Sequence, residues 1–104
     1  MKVSELSSMF KLINAGDMER EVKGVFCCDL LSVAMGKAPA DSAWVTVMAN
    51  VNTLAVASLT DVSCVVLAEG AVLDEATVNK AREQEITVFS TEEPIFEAAL
   101  RIHG

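Results

Sequence analysis

The chain has 104 residues, the length of one ordinary domain, and we predict a single domain over residues 1–104. Its formal charge at pH 7 is −7 and it has no cluster of Lys or Arg, which argues against binding to nucleic acid or to an anionic membrane surface. Hydrophobic residues make up 52% of the sequence, a high share for a small domain. We therefore expect surplus apolar surface that a second copy covers in a homodimer. The alternative is a tightly packed monomer with many buried alanines.

The amino-terminal segment does not resemble a secretion signal. Residues 1–10 include Glu5 and several serines and lack an apolar core. No run approaches the ~20 apolar residues of a membrane span. The three cysteines are an odd number and two of them are adjacent, which does not suit a disulfide framework. We therefore predict a cytoplasmic protein.

Hydrophobic spacing predicts helices that alternate with strands. Apolar residues at helical spacing predict a first helix over 5–13. The predicted strands are 22–27, 43–48, 63–67 and 86–89. The later predicted helices are 30–35, 51–59, 75–84 and a last one after Ser90. Asp29, Asp74 and Ser90 are the predicted caps, with Ser90 and Glu93 as a capping box and Gly36 closing its helix.

The order of these elements indicates the fold class. The run 63–67 is apolar without alternation, as expected of a central parallel strand covered on both faces. Strands that alternate with helices imply right-handed crossovers and a parallel sheet. We therefore predict an α/β protein, a single three-layer α/β/α domain with a mainly parallel sheet of four to five strands. The helix over 51–59 shows little polar face and is predicted to be buried on most sides.

The carboxyl ends of the strands are the predicted ligand-binding edge, because ligands of such sheets bind there near a switch in strand order. Small polar residues at helix starts there would hold an anion, such as a nucleotide phosphate or a carboxylate, with backbone N–H groups. The candidate ligand-binding residues are Asp29, Asn50, Asn52, Glu69, Gly70 and Ser90. The alternative is that these residues only cap helices. Glu69 would repel a phosphate, and neither the GxGxxG nor the Walker A pattern is present.

The residue types for catalysis are sparse. Cys27 and Cys28 are candidates for thiol redox chemistry, but the usual redox motif has two intervening residues. The single histidine is His103 and there is no tyrosine. No nucleophile elbow or Ser-His-Asp arrangement is recognisable. We predict no catalytic site, no metal site and no cofactor.

The apolar helices predicted over 30–35 and 51–59 are the expected self-association surface. The candidate interface residues are Leu30, Met35, Trp44, Leu54 and Val56.

The order of elements from Leu6 to Thr91 resembles the DRTGG domain family. Gly24 with Val25 and the junction at Asp29 correspond to the family's first strand and its turn. The stretch 44–50 stands where the family has an apolar strand leading into Gly-Asp-Arg, and 64–70 stands where it has the strand leading into Thr-Gly-Gly. The stretch 72–88 resembles its acidic helix and short final strand. Of the signature residues only Gly70 is retained, and Asn50 and Val51 stand where the family has the Asp and Arg.

This resemblance implies a regulatory α/β domain without an established activity of its own. DRTGG domains accompany CBS domains in regulated pyrophosphatases, occur in phosphotransacetylases, and are similar to the non-catalytic amino-terminal domain of HPr kinase/phosphorylase. Kinase activity would require a P-loop that this sequence lacks. Stand-alone members are typical of anaerobic bacteria, often beside iron hydrogenase genes, which implies a protein partner in an anaerobic redox or phosphoregulatory system.

Three functions therefore stay open. The favoured one is a non-catalytic regulatory or protein-interaction domain that acts as a homodimer. The second is a small-molecule sensor for a nucleotide or anion at the strand-end edge. The third is a thiol redox protein that uses Cys27 and Cys28.

Overall fold

A five-stranded sheet separates two layers of helices in the computed structural model, which describes residues 1–104. The strands are β1 (Lys11–Asn14), β2 (Gly24–Cys27), β3 (Ser42–Thr46), β4 (Cys64–Leu67) and β5 (Val88–Ser90). The helices are a 3-10 helix (Val3–Ser8) followed by α1 (Leu31–Lys37), α2 (Val51–Thr60), α3 (Glu75–Glu83) and α4 (Ile95–His103). None of these helices combines the length and the apolar character needed to cross a membrane.

The strand order in the sheet is β1-β5-β4-β3-β2. Strands β2 to β5 are parallel and lie next to one another in chain order, whereas β1 pairs with β5 in the antiparallel sense. Right-handed crossovers between consecutive parallel strands place α1, α2 and α3 on one face. The 3-10 helix and α4 cover the other face. The predicted α/β class, with a mainly parallel sheet, is confirmed.

Two hydrophobic clusters fill the spaces between the layers. Neighbouring residues of a strand point to opposite faces, so Trp44 and Val65 contribute to the cluster beneath α1, α2 and α3, and Val45 and Val66 to the cluster beneath α4. Every residue of β3 and β4 is buried. This explains why the run 63–67 shows no alternation. Each large side chain buried in this way stabilises the fold by about 1.5–3 kcal/mol.

The helix predicted over 5–13 is wrong. The 3-10 helix and β1 take its place. Leu6 is buried, as its helical spacing requires, but the residues that follow pair with β5. The side-chain amide of Asn14 donates a hydrogen bond to the carbonyl oxygen of Ile86 at 2.8 Å. Long-range strand pairing outweighs the local helical pattern here, and this segment supplies the fifth strand.

Asp74 is confirmed as a helix cap, whereas Asp29 and Ser90 are not. Asp74 Oδ1 accepts the backbone N–H of Thr77 at 2.8 Å, and the hydrogen bonds from Thr77 lower the pKa of the Asp74 carboxyl. Asp29 does not cap a helix, because α1 begins only after Leu30. Ser90 belongs to β5, and α4 has Pro94 at its N-cap.

Two further predictions about helices are corrected. Gly36 does not close α1 but lies within it. Helix α2 is buried along one face only, because Leu59 is 69% exposed and Val51 is 47% exposed. The apolar composition of α2 therefore leaves hydrophobic side chains in contact with solvent.

Candidate functional site

The carboxyl ends of β4 and β5 flank a crevice. The chain leaves β4 towards α3 on one face of the sheet, and leaves β5 towards α4 on the other face. Two neighbouring strands whose connections diverge in this way leave a gap between their ends, which is the usual ligand-binding position in parallel sheets. The predicted switch point therefore lies between β4 and β5.

A cavity of about 270 Å³ occupies this position. Most small-molecule pockets have volumes of about 300–1,000 Å³, so this one suits a group the size of a phosphate or a single ring. Its lining comes from the start of β1, from the segment after β4 and from the end of β5. The lining residues are Met9, Phe10, Lys11, Gly70, Ala71, Val72, Ser90, Thr91 and Glu92.

Lys11 is the cation of this crevice. It pairs opposite Ser90 in the β1–β5 ladder, and it takes part in no ion pair within the chain. The backbone N–H groups of the lining residues Val72 and Glu92 also lack a hydrogen-bond partner within the chain. Because Lys11 has no ion-pair partner, its ammonium group is available to an anionic group.

The carboxylate of Glu92 restricts the same crevice. Gly70 has φ +75°, a backbone conformation that favours glycine, and a Cβ there would lie 2.6 Å from Glu92 Oε2. The missing side chain lets Glu92 approach the chain closely. An anionic ligand would have to displace Glu92 or bind on the Lys11 side of the cavity.

Glu69 does not line the crevice. Its Oε2 accepts the backbone N–H of Ile95 at 3.2 Å, at the first turn of α4. A negative charge at this place is favourable because the amino end of a helix carries partial positive charge. Glu69 therefore caps α4, whose N-cap Pro94 offers no side-chain hydrogen bond. The sequence contains no local signal of this contact.

The other candidate residues lie at the ends of β2 and β3, outside the cavity lining. Asp29 Oδ1 accepts the hydroxyl of Thr46 at 2.7 Å and the N–H of Val47 at 2.8 Å, so it ties the end of β2 to β3. Asn50 caps α2 by accepting the N–H groups of Asn52 and Thr53. The structure thus brings Gly70 and Ser90 together, but not Asp29, Asn50 or Asn52.

Lys11 and Glu92 are not among the candidate ligand-binding residues that the sequence suggests. Lys11 falls within the helix predicted over 5–13, and nothing in the local pattern places it beside the end of β5. Glu92 follows β5 directly, so its position at the strand-end edge was available from the sequence once that strand was assigned.

Two of the three cysteines have a raised thiol pKa. Burial, together with the negative charge of Asp29, raises the pKa of the Cys27 thiol. Burial raises the pKa of Cys64 to about 12. The reactive form is the thiolate, so both groups are held in the less reactive protonated form at neutral pH.

Three of the candidate interface residues are placed in the core. Trp44, Leu54 and Val56 are at most 4% exposed, and Trp44 Nε1 donates a hydrogen bond to the carbonyl oxygen of Cys28 at 3.0 Å. They offer no surface to a second copy, so their assignment to an interface is corrected. Their apolar character reflects packing of α2 on the sheet. Leu30 and Met35 are 59% and 51% exposed.

No family model and no curated protein matches the sequence. The fold is similar to a crystal structure of the CBS and DRTGG domains from the regulatory region of a Clostridium perfringens pyrophosphatase, complexed with its activator diadenosine tetraphosphate. The similarity covers 93% of this chain with a TM-score of 0.71 at 13% sequence identity. This chain spans 43% of the length of that one. The DRTGG-like fold implied by the family resemblance is confirmed.

Proposed function

We propose that this chain is a non-catalytic regulatory domain that acts as a homodimer. The observation that carries the proposal is the apolar surface that the fold leaves uncovered. Phe96 and Leu59 are 69% exposed, and Leu30 and Leu100 are 59% and 53% exposed. These side chains lie on both faces of the sheet. Exposed apolar patches mark interaction sites in soluble proteins, and two-fold homodimers are the commonest oligomers. Similarity to a pyrophosphatase regulatory region supports the regulatory part of the proposal.

Sedimentation velocity over a dilution series in the micromolar range tests the homodimer. We expect a species with twice the chain mass of 11.1 kDa that dissociates on dilution. A single species of 11.1 kDa at every concentration would contradict the proposal.

The second candidate function is a sensor for a small anionic ligand, such as a nucleotide. Two observations favour it. The crevice between β4 and β5 presents Lys11 as a cation without a partner, and the similar C. perfringens structure is bound to a nucleotide activator. In this reading the ligand places a phosphate near Lys11, and its binding shifts the equilibrium between two states of the domain.

Thermal unfolding with adenine nucleotides, diadenosine tetraphosphate included, tests the sensor. A ligand at ~100 times its Kd stabilises the fold by about 2.7 kcal/mol. We expect Lys11→Ala to abolish the shift in melting temperature. Lys37→Ala is the matched control, because Lys37 is also exposed and outside every ion pair but lies on α1. Equal shifts in both variants would exclude the crevice as the site.

A further inference from the structure

We infer that the two copies of the dimer join by antiparallel pairing of β2 with β2 of the second copy, so that the two sheets become one. This inference rests on the homodimer proposed above and adds the surface that forms it. It replaces the interface predicted from the sequence around Leu54 and Val56, which the fold buries.

The two edges of the sheet differ in how they are protected. On the edge strand β1, Lys11 is exposed and the register shifts between Leu12 and Asn14, as in a β-bulge. Charged residues and bulges are the common devices that stop an edge strand from pairing with another chain. Strand β2 has neither, since Gly24–Cys27 contains no charged residue and no proline and pairs with β3 in continuous register. Its outer side pairs with no strand.

The backbone of β2 offers hydrogen-bonding groups in the right direction. The N–H of Cys28 donates towards β3, to the carbonyl oxygen of Val45 at 3.4 Å, in the register that pairs Cys27 with Val45. Backbone groups alternate in direction along a strand, so those of Gly24 and Phe26 also point towards β3, and those of Val25 and Cys27 point away from it. A two-fold axis at Phe26 would place Val25 opposite Cys27 of the second copy. Each such pair exchanges both of its hydrogen bonds, as in a regular antiparallel ladder.

Exposed apolar side chains flank this strand on the α4 face. Helix α4 packs over β2 and β3, and the guanidinium of Arg101 on one flank of the helix lies 5.4 Å from the centre of the Phe10 ring. Phe96 and Leu100 are four residues apart and occupy the other flank, which faces the open edge of β2. They are 69% and 53% exposed.

A further exposed apolar side chain lies on the opposite face of the sheet. Leu30 stands between the end of β2 and the start of α1 and is 59% exposed. A standard interface buries roughly 800 Å² on each partner, and Leu30, Phe96 and Leu100 contribute apolar area to it on both sides of the outer edge of β2. Two copies of a chain with net charge −7 repel each other. The segment from Lys23 to Cys27 contains no acidic residue, so it adds nothing to this repulsion.

Gly24→Lys tests the strand pairing. A Cβ at Gly24 meets no atom within 4 Å and the backbone there is not left-handed, so the monomer accommodates the side chain while its charge blocks the edge. Ala76→Lys is the control, because it adds the same charge at an exposed position of α3. We expect the dimer Kd from sedimentation velocity to rise by about tenfold or more in Gly24→Lys and to stay unchanged in Ala76→Lys.

Phe96→Glu tests the contribution of the exposed flank of α4. It is also the variant to use for testing the interface if Gly24→Lys does not fold. Its control is Val72→Glu, since Val72 is 75% exposed but lies beside the β4–β5 crevice. We expect only Phe96→Glu to weaken the dimer. In the native chain, hydrogen exchange at the amides of Val25 and Cys27 should slow as the concentration rises into the dimer range.

The outcomes distinguish a failure of the β2 interface from a failure of the homodimer proposal. A native chain that stays monomeric overturns both proposals. A native dimer that persists unchanged in Gly24→Lys and Phe96→Glu, with no protection of the Val25 and Cys27 amides, overturns the β2 interface and leaves the homodimer standing.

Discussion

At the scale of single residues, Arg20 joins three loops at the amino-terminal edge of the sheet. Its Nη2 lies 2.8 Å from Asp41 Oδ1 and its Nη1 lies 3.0 Å from Asp61 Oδ1. Both aspartates have left-handed backbone conformations, with φ of 63° and 62°. Such conformations cost free energy in residues other than glycine, and the hydrogen bonds to Arg20 help to hold them.

The Arg20–Asp41 pair predicts how stability depends on pH. The hydrogen bond from Arg20 lowers the pKa of the Asp41 carboxyl. A lowered pKa in the folded state adds stability above the unfolded pKa, and this contribution is lost as the pH falls through the folded value. We expect Arg20→Ala to lower the melting temperature at neutral pH, and the gap to the native chain to shrink below about pH 4. A gap that stays constant across this range would contradict the assignment.

Replacing Gly70 or Gly36 by alanine should change the free energy of unfolding in opposite directions. Gly70 has φ +75° and meets Glu92 Oε2, so Gly70→Ala should destabilise the fold by about 1–2 kcal/mol. Gly36 lies within α1 with open space around it, so Gly36→Ala should stabilise it by about 0.5–1 kcal/mol. Urea unfolding measures both changes, and a Gly70→Ala variant at least as stable as the native chain would refute this account of Gly70.

At the scale of elements, α2 shows how burial divides one helix into two kinds of apolar residue. Leu54 is 1% exposed, whereas Leu59 on the same helix is 69% exposed. We expect Leu54→Glu to unfold the chain, because a carboxylate buried without a partner costs several kcal/mol, comparable to the whole stability of a small domain. Leu59→Glu should leave the fold intact. Circular dichroism distinguishes the two, and a folded Leu54→Glu variant would show that α2 is less firmly packed than the structure indicates.

At the scale of the whole molecule, the parts that the sequence predicted are those with strong local signals. The unbroken apolar run of β4 identified a central strand, and Asp74 identified the start of α3. The first segment was missed because its helical spacing is real, yet the energy of pairing with β5 decides its conformation. Within the crevice, Gly70 and Ser90 are predictable because each lies at or shortly after the end of a strand. Lys11 was not, because only the sheet order brings β1 beside β5.

The homodimer is the central claim, and native mass spectrometry tests it most directly. Unlabelled and ¹⁵N-labelled chains are mixed in equal amounts and allowed to exchange. If the chain is a homodimer, three dimer masses appear, and the middle one contains one unlabelled and one ¹⁵N-labelled chain. Two masses that correspond to the separate 11.1 kDa chains, at concentrations well into the micromolar range, would contradict it.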